Sequence, residues 1–250
     1  MKCIAGHQPN LYPYGGFFAK AMCVDEFVIV DNVQYVKKEY NNRNKIKFSD
    51  GSAKWICIPV KNSGRYRQLI KDAEIDNSRD WRSSHIRTFE LNYRKAPFYN
   101  EFFPIMESLL MKERTMLSEY NTAFIRAVFN YLNIRAALVS APEKNISGSA
   151  SELILELCRA AGAQKYLHGI HSLDYVDFSL LEKNGVESLI QYFQPPIYPQ
   201  INGNFIENLS VIDIIFNCGK ESAEILRRAN TIKVCISSVK GHGLLNLYLQ

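Results

Sequence analysis

CIAGHQPNLYPYGGFFAKAMCVDEFVIVD, residues 3–31, carries the reading that decides the fold. A short apolar run (Cys3, Ile4, Ala5) leads into His7-Gln8-Pro9, and two prolines, two tyrosines and the Gly15-Gly16 pair turn the chain into an apolar, helix-like stretch. A β-branched run, Phe27-Val28-Ile29-Val30, follows and ends at Asp31. Strand, polar turn, helix, strand is the unit of a parallel α/β sheet, and such a sheet gathers ligands at the carboxyl ends of its strands. Backbone N–H groups where the helix begins, near Gly16, offer an anion site.

The pattern repeats down the chain. Lys45–Phe48 and Lys54–Val60 around Asp50-Gly51 read as a β-hairpin, because Asp-Gly favours a tight turn, and Leu69–Ile75 reads as another strand. Asp80 caps a helix whose face includes Ile86, Phe89 and Tyr93. Pro97 and Pro104 punctuate two further helical stretches, and Leu117–Leu132 is amphipathic. Then come a strand (Ala136–Ser140), a helix capped by Ser149 or Ser151 and closed by Gly162, a strand (Lys165–Leu167), a helix (Asp177–Lys183), a strand (Val186–Phe193) and a helix (Leu209–Phe216). The expectation is an α/β fold with a mostly parallel, Rossmann-like or nucleotidyl-transferase-like sheet. Residues 1–219 form one domain with a helical layer inserted at 80–132, and 220–250 is a C-terminal extension of unassigned role.

Composition bounds the function. The chain has 250 residues, 47% of them hydrophobic, enough for a full core. Thirty basic against 25 acidic residues leave +5, which suits phosphorylated ligands better than a long nucleic acid. Six scattered cysteines without a close pair favour reduced thiols. The start lacks the apolar core of a signal peptide, and no run approaches the roughly 18 apolar residues of a membrane helix. A cytoplasmic protein is expected.

Polar residues crowd the first three strands. His7 is either a turn residue donating to a carbonyl or a catalytic group; Gln8 and Pro9 beside it and Gly16 at the helix start favour the second, and Gln8, Tyr12, Gly16 and Lys20 are candidate substrate contacts. Asp31 either caps a helix or turn or, at a strand's carboxyl end, meets substrate or a metal ion. Gln34, Lys38, Asn42 and Asn44 surround Arg43, whose planar fork matches phosphate or carboxylate. His7, Asp31 and Arg43 are expected to share one anion-receptive cavity. Gly169, Asp174 and Tyr175 form a loop that closes over it, and Gln200 shapes its rim. His168, His171 and Asp174 fall short of the four ligands of structural zinc, and no metal site is expected.

HQPNLYPYGGFFAK (7–20), VDNVQY (30–35), NNRNKIK (41–47), IPV (58–60), the Asp80-Trp81…His85 group, YRKAPFY (93–99), YLHGIHSLDYVD (166–177), YPQ (198–200) and LSVIDIIFNCG (209–219) occur in this order. In that order they resemble the WbqC-like protein family of bacteria. Its members occur in gene clusters for O-antigen and other surface polysaccharides, and a glycine-transferase role has been proposed for them. The resemblance implies a transferase that acylates the amino group of a nucleotide-linked amino sugar. The activated glycine donor is an adenylate made from ATP with Mg, a thioester or glycyl-tRNA. The first strand, His7 and Gly15-Gly16 also loosely resemble pantothenate synthetase and class I tRNA synthetases. In those folds a histidine and a glycine hold ATP phosphates, which implies that His7 steadies the α-phosphate while Lys20, Lys37 or Arg43 neutralises pyrophosphate. A nucleotidyl- or glycosyltransferase of the same pathway, or a non-catalytic nucleotide-sugar or tRNA binding module, are the alternatives. Oligomeric state is not legible.

Overall fold

A computed structural model describes residues 1–61, 63–65, 67–142 and 150–235. Its strands are β1 (Cys3–His7), β2 (Glu26–Ile29), β3 (Arg43–Lys47), β4 (Ala53–Cys57), β5 (Ala137–Ser140), β6 (Lys165–Gly169), β7 (Glu187–Phe193) and β8 (Asn230–Val234). Its helices are α1 (Gly15–Ala21), α2 (Trp81–Tyr93), α3 (Tyr99–Met111), α4 (Leu117–Tyr131), α5 (Ala150–Ala161), α6 (Phe178–Lys183), α7 (Val211–Cys218) and α8 (Ser222–Arg228).

Six strands form one sheet in the order β5-β2-β1-β6-β7-β8, and β3-β4 stand apart as a hairpin. All neighbours in the large sheet run parallel except β7 and β8. Counted along the chain, the order is third, second, first, fourth, fifth, sixth, that of a Rossmann-type doubly wound sheet. The chain's winding reverses between β1 and β6, which puts the switch point, where sheets of this kind hold ligands, at the carboxyl ends of these two strands. His7 ends one of them and Gly169 the other.

Alternation along the strands sorts side chains onto two layers. Ala5, Phe27 and Ile29 join Phe17 and Phe18 of α1, Phe124 and Val128 of α4 and Phe216 of α7 in the larger core. Ile4 and Val28 face the opposite way, toward Ile154, Leu157 and Cys158 of α5 and Leu181 of α6. The helices between 80 and 132 therefore thicken the layer that already holds α1.

Several expectations are corrected. Leu69–Ile75 is not a strand: Ile70–Asp72 makes a 3-10 turn, because the Ile70 and Lys71 N–H groups donate across to the Val33 and Asp31 carbonyls at 2.9 Å each. Pro104 lies inside α3 and does not divide it. Asn100, whose carbonyl loses its N–H partner, is exposed like Pro104, so water can serve it. Residues 222–234, read as part of an extension, supply α8 and the sixth strand. Ser149 and 236–250 lie outside the described residues.

Candidate functional site

β1 delivers His7 to the carboxyl edge of the sheet, where its ring meets Phe17 of α1 edge-on at 4.7 Å. His7 Nδ1 is 2.9 Å from the Gln8 carbonyl oxygen. A carbonyl only accepts, so Nδ1 carries the proton and Nε2 presents a lone pair. Burial, then the nearby Lys20 charge, push this imidazole down to about 4. It is neutral at pH 7 and accepts hydrogen bonds at Nε2.

Lys20, the penultimate residue of α1, is 7% exposed. It has no carboxylate partner and no hydrogen bond among the described residues, and burial pushes its amine down to about 8. Across the gap is Gly169, where an added Cβ would sit 3.6 Å from Lys20 Nζ. The backbone of Gly169 (φ −83, ψ 162) would accept any residue, so the absent side chain leaves space in front of the amine and relieves no strain. His168 points to the sheet's other face, between Tyr166 and Phe178, with Nε2 3.2 Å from Ser188 Oγ and Nδ1 buried without a partner. Burial and then the Lys20 charge hold it down to about 3.

Of the two asparagines expected to bind ligand, Asn44 instead holds the loop that leaves His7, together with Asn41 and Asn121, and Asn42 ties to Ile58. Asn41 Nδ2 donates to Gln8 Oε1 (3.1 Å) and Asn10 Oδ1 (3.2 Å). Asn44 Nδ2 donates to the Leu11 (3.1 Å) and Tyr12 (2.8 Å) carbonyls, and Asn121 ties Pro9 to Asn41 through their carbonyls. Asn42 Nδ2 donates to the Ile58 carbonyl (2.9 Å). The 42–44 triplet is thus no loop: Arg43 opens β3. Asn44→Ala strands two buried carbonyls, each worth about 1–3 kcal/mol; an urea titration should show a loss of about 2–3 kcal/mol.

Further assignments change for the same reason, that buried polar groups find protein partners. Tyr12 is wholly buried, its hydroxyl 2.8 Å from the Tyr120 hydroxyl and 3.1 Å from His85 Nδ1, so it is a core residue and not a substrate contact. Gly16 opens no anion site, because α1 is a seven-residue helix whose start is covered; a Cβ there would overlap the Tyr14 ring and lie 2.8 Å from Phe193. Gln200 accepts from Lys47 Nζ (3.1 Å) and braces the Tyr198 hydroxyl (3.1 Å) inside a buried network around Asp213.

Asp31 accepts from Ser118 Oγ at 2.6 Å, and Arg43 stacks on Trp55 at 4.0 Å. No hydrogen bond, ion pair or ring contact joins His7, Asp31 and Arg43 to one another. Gln34 and Lys38 are exposed on the segment before β3, and Asp174 and Tyr175 are exposed beyond β6. The group the fold does assemble is His7, Lys20 and Gly169. No local signal in the sequence marks Asn10, Asn41 or Asn121 for the site, and His168, just beyond the predicted strand Lys165–Leu167, is legible there only as a metal-ligand candidate. Among the described residues no cluster of His, Cys, Asp and Glu could hold a metal ion, and no helix is long and apolar enough to cross a membrane.

The chain is 33% identical to a protein of Mycobacterium tuberculosis, the uncharacterized protein Rv1507c, over 229 residues that cover 91% of this chain and 98% of that one. No solved structure matches it significantly. Residues 8–225, which span the turn after His7, the helix that carries Lys20, the hairpin, the helical layer and the Gly169 edge, match the WbqC-like protein family, and the chain belongs to that family.

Proposed function

We propose that this chain transfers glycine, or a similar small acyl group, to the amino group of a nucleotide-linked amino sugar for surface polysaccharide such as O-antigen. The observation that carries the reading is the Lys20 amine: buried, without a carboxylate or hydrogen-bond partner among the described residues, and beside Gly169 at the switch point of the sheet. A buried cation lacking a counter-ion costs stability unless a ligand brings the negative charge. A phosphate oxygen is that ligand in a crevice of this kind.

His7 supports the transfer step. The sugar amine forms a C–N bond to the acyl carbon, and the proton it sheds moves to His7 Nε2. The bond from the acyl carbon to its leaving group breaks, and the electron pair departs on that group. With an adenylate donor, made from ATP with Mg, the leaving group is AMP, whose phosphate Lys20 neutralises where charge builds. Glycyl-tRNA and a thioester are the other donors compatible with the same step.

Mass spectrometry tests this. A nucleotide-linked amino sugar incubated with the protein, glycine and ATP, and separately with charged tRNA, should gain one glycyl residue in one of the two mixtures. Release of free nucleoside diphosphate from the sugar nucleotide would assign a glycosyltransferase instead. Tight binding without turnover would assign a binding module. Because the anion must meet a protonated Lys20, calorimetric affinity for pyrophosphate should weaken as pH rises through about 8.

A further inference from the structure

The β3-β4 hairpin carries exposed aromatics that the crevice does not use. Trp55 is 39% exposed and Tyr40 49%, in a chain whose Tyr12, Tyr93, Tyr120, Phe17 and Phe18 are fully buried. The two rings lie 5.9 Å apart, tilted by 50°. Arg43 Cζ stands 4.0 Å and Lys45 Nζ 5.1 Å from the Trp55 ring centre. Neither cation has a carboxylate partner or a hydrogen bond among the described residues, and Arg43 Nε is buried without an acceptor.

Position ties this surface to the candidate site. The Tyr40 carbonyl accepts from the Leu11 N–H at 2.9 Å, and Asn41 holds Gln8, the residue after His7. Tyr40 is also an electrostatic neighbour of Tyr14, which leads into the helix that carries Lys20. The loop leaving the crevice therefore runs to the foot of the platform.

We propose that Tyr40 and Trp55, flanked by Arg43 and Lys45, stack the nucleobase of the nucleotide-linked substrate. The inference rests on the reading of the Lys20 crevice as a phosphate site. Aromatic faces bind any flat π-system, and Arg extends such a stack with its own plane. Uncompensated cations beside the rings select an anionic ligand over a neutral sugar. The mild net charge of +5 favours a mononucleotide over a long RNA, which needs a denser basic stripe.

Trp55 and Trp81 are the two tryptophans, and Trp81 is buried with its Nε1 donating to Asn77 Oδ1 at 3.2 Å. In a Trp81→Phe background the fluorescence reports on Trp55 alone, and UDP should quench it. By calorimetry UDP should bind roughly five- to hundredfold more tightly than inorganic pyrophosphate, the increment of one stacked base. Trp55→Leu, which keeps apolar bulk on the hairpin, and Tyr40→Ala should erase that advantage while leaving pyrophosphate affinity alone; Trp55→Phe should restore part of it. An advantage that survives the Tyr40→Ala/Trp55→Leu pair would overturn the platform, as would equal affinities for UDP and pyrophosphate in the unaltered protein. A CCA trinucleotide that binds more tightly than UDP with a steep salt dependence would overturn it in favour of an RNA surface. Uridine that quenches Trp55 while pyrophosphate fails to bind would leave the platform standing and remove the phosphate reading of Lys20.

Discussion

Lys20→Met should lower transfer activity roughly 10²–10³-fold, the usual loss when a preorganised charge-stabilising group is removed from a low-dielectric site. The same substitution should make the protein more stable at pH 7, by on the order of 2–3 kcal/mol. The sign follows from the amine's depressed pKa of about 8 against 10.5 for a free lysine. Between these values the unfolded chain binds more protons than the folded one, so stability of the unaltered protein rises with pH across that window. Below about 8 the full burial cost is present, and methionine removes it. By pH 10.5 the advantage of the variant should have faded, which urea titrations at several pH values would show. A residue with a purely structural duty would lose stability on truncation. Gly169→Val should behave similarly toward ligand, filling the space before the amine without backbone strain; pyrophosphate affinity should fall with little change in melting temperature.

Asp213→Ala should be the most destabilising single change, costing about 3–5 kcal/mol as a broken buried network. Its carboxylate is wholly buried and accepts from the Tyr93 and Tyr198 hydroxyls, both at 2.8 Å. Lys47, also buried, lies close enough for each charge to act on the other, and its Nζ donates to Gln200 and to the Gly203 (3.3 Å) and Asn204 (2.6 Å) carbonyls. Tyr93 in turn accepts from the Lys47 N–H at 2.8 Å, so the network joins β3, α2, α7 and the 198–204 loop. Burial raises the Asp213 pKa above 3.8, so its folded form holds a proton that the unfolded chain has lost. Its contribution therefore declines as pH climbs from 3.8 through the raised value, then stays level. Asp213→Asn, which keeps the shape and one acceptor, should lose less than Asp213→Ala, and chemical denaturation measures both. Activity per folded molecule should be nearly unaffected, because the network serves packing.

The resemblance and the local reading agreed about the elements because both draw on short-range signals. Short runs rich in apolar residues between turn formers marked β1, β2, β6 and β7, and Asp80 and Asp177 marked helix starts by accepting from N–H groups of the first turn. Leu69–Ile75 failed because its backbone partners lie near Asp31 and Val33, almost forty residues away by roughly counting along the chain, beyond any local window. The site was less legible. Asn44, Tyr12 and Gln200 combine polarity with an aromatic or apolar setting, and sequence does not separate a buried hydrogen-bonding strut from a ligand contact.

What the sequence determined by itself was most of the strands and helices before residue 219, the placement of His7 at a strand's carboxyl end and the family to which the chain belongs. The tertiary structure alone decided that Lys20 faces Gly169 and that Arg43 lies on Trp55 while Asp31 holds Ser118. The physical reason is strand register: β1 and β6 pair Cys3 with Lys165 and Ile4 with Tyr166, and a meeting between segments that far apart is fixed by burial of the whole sheet.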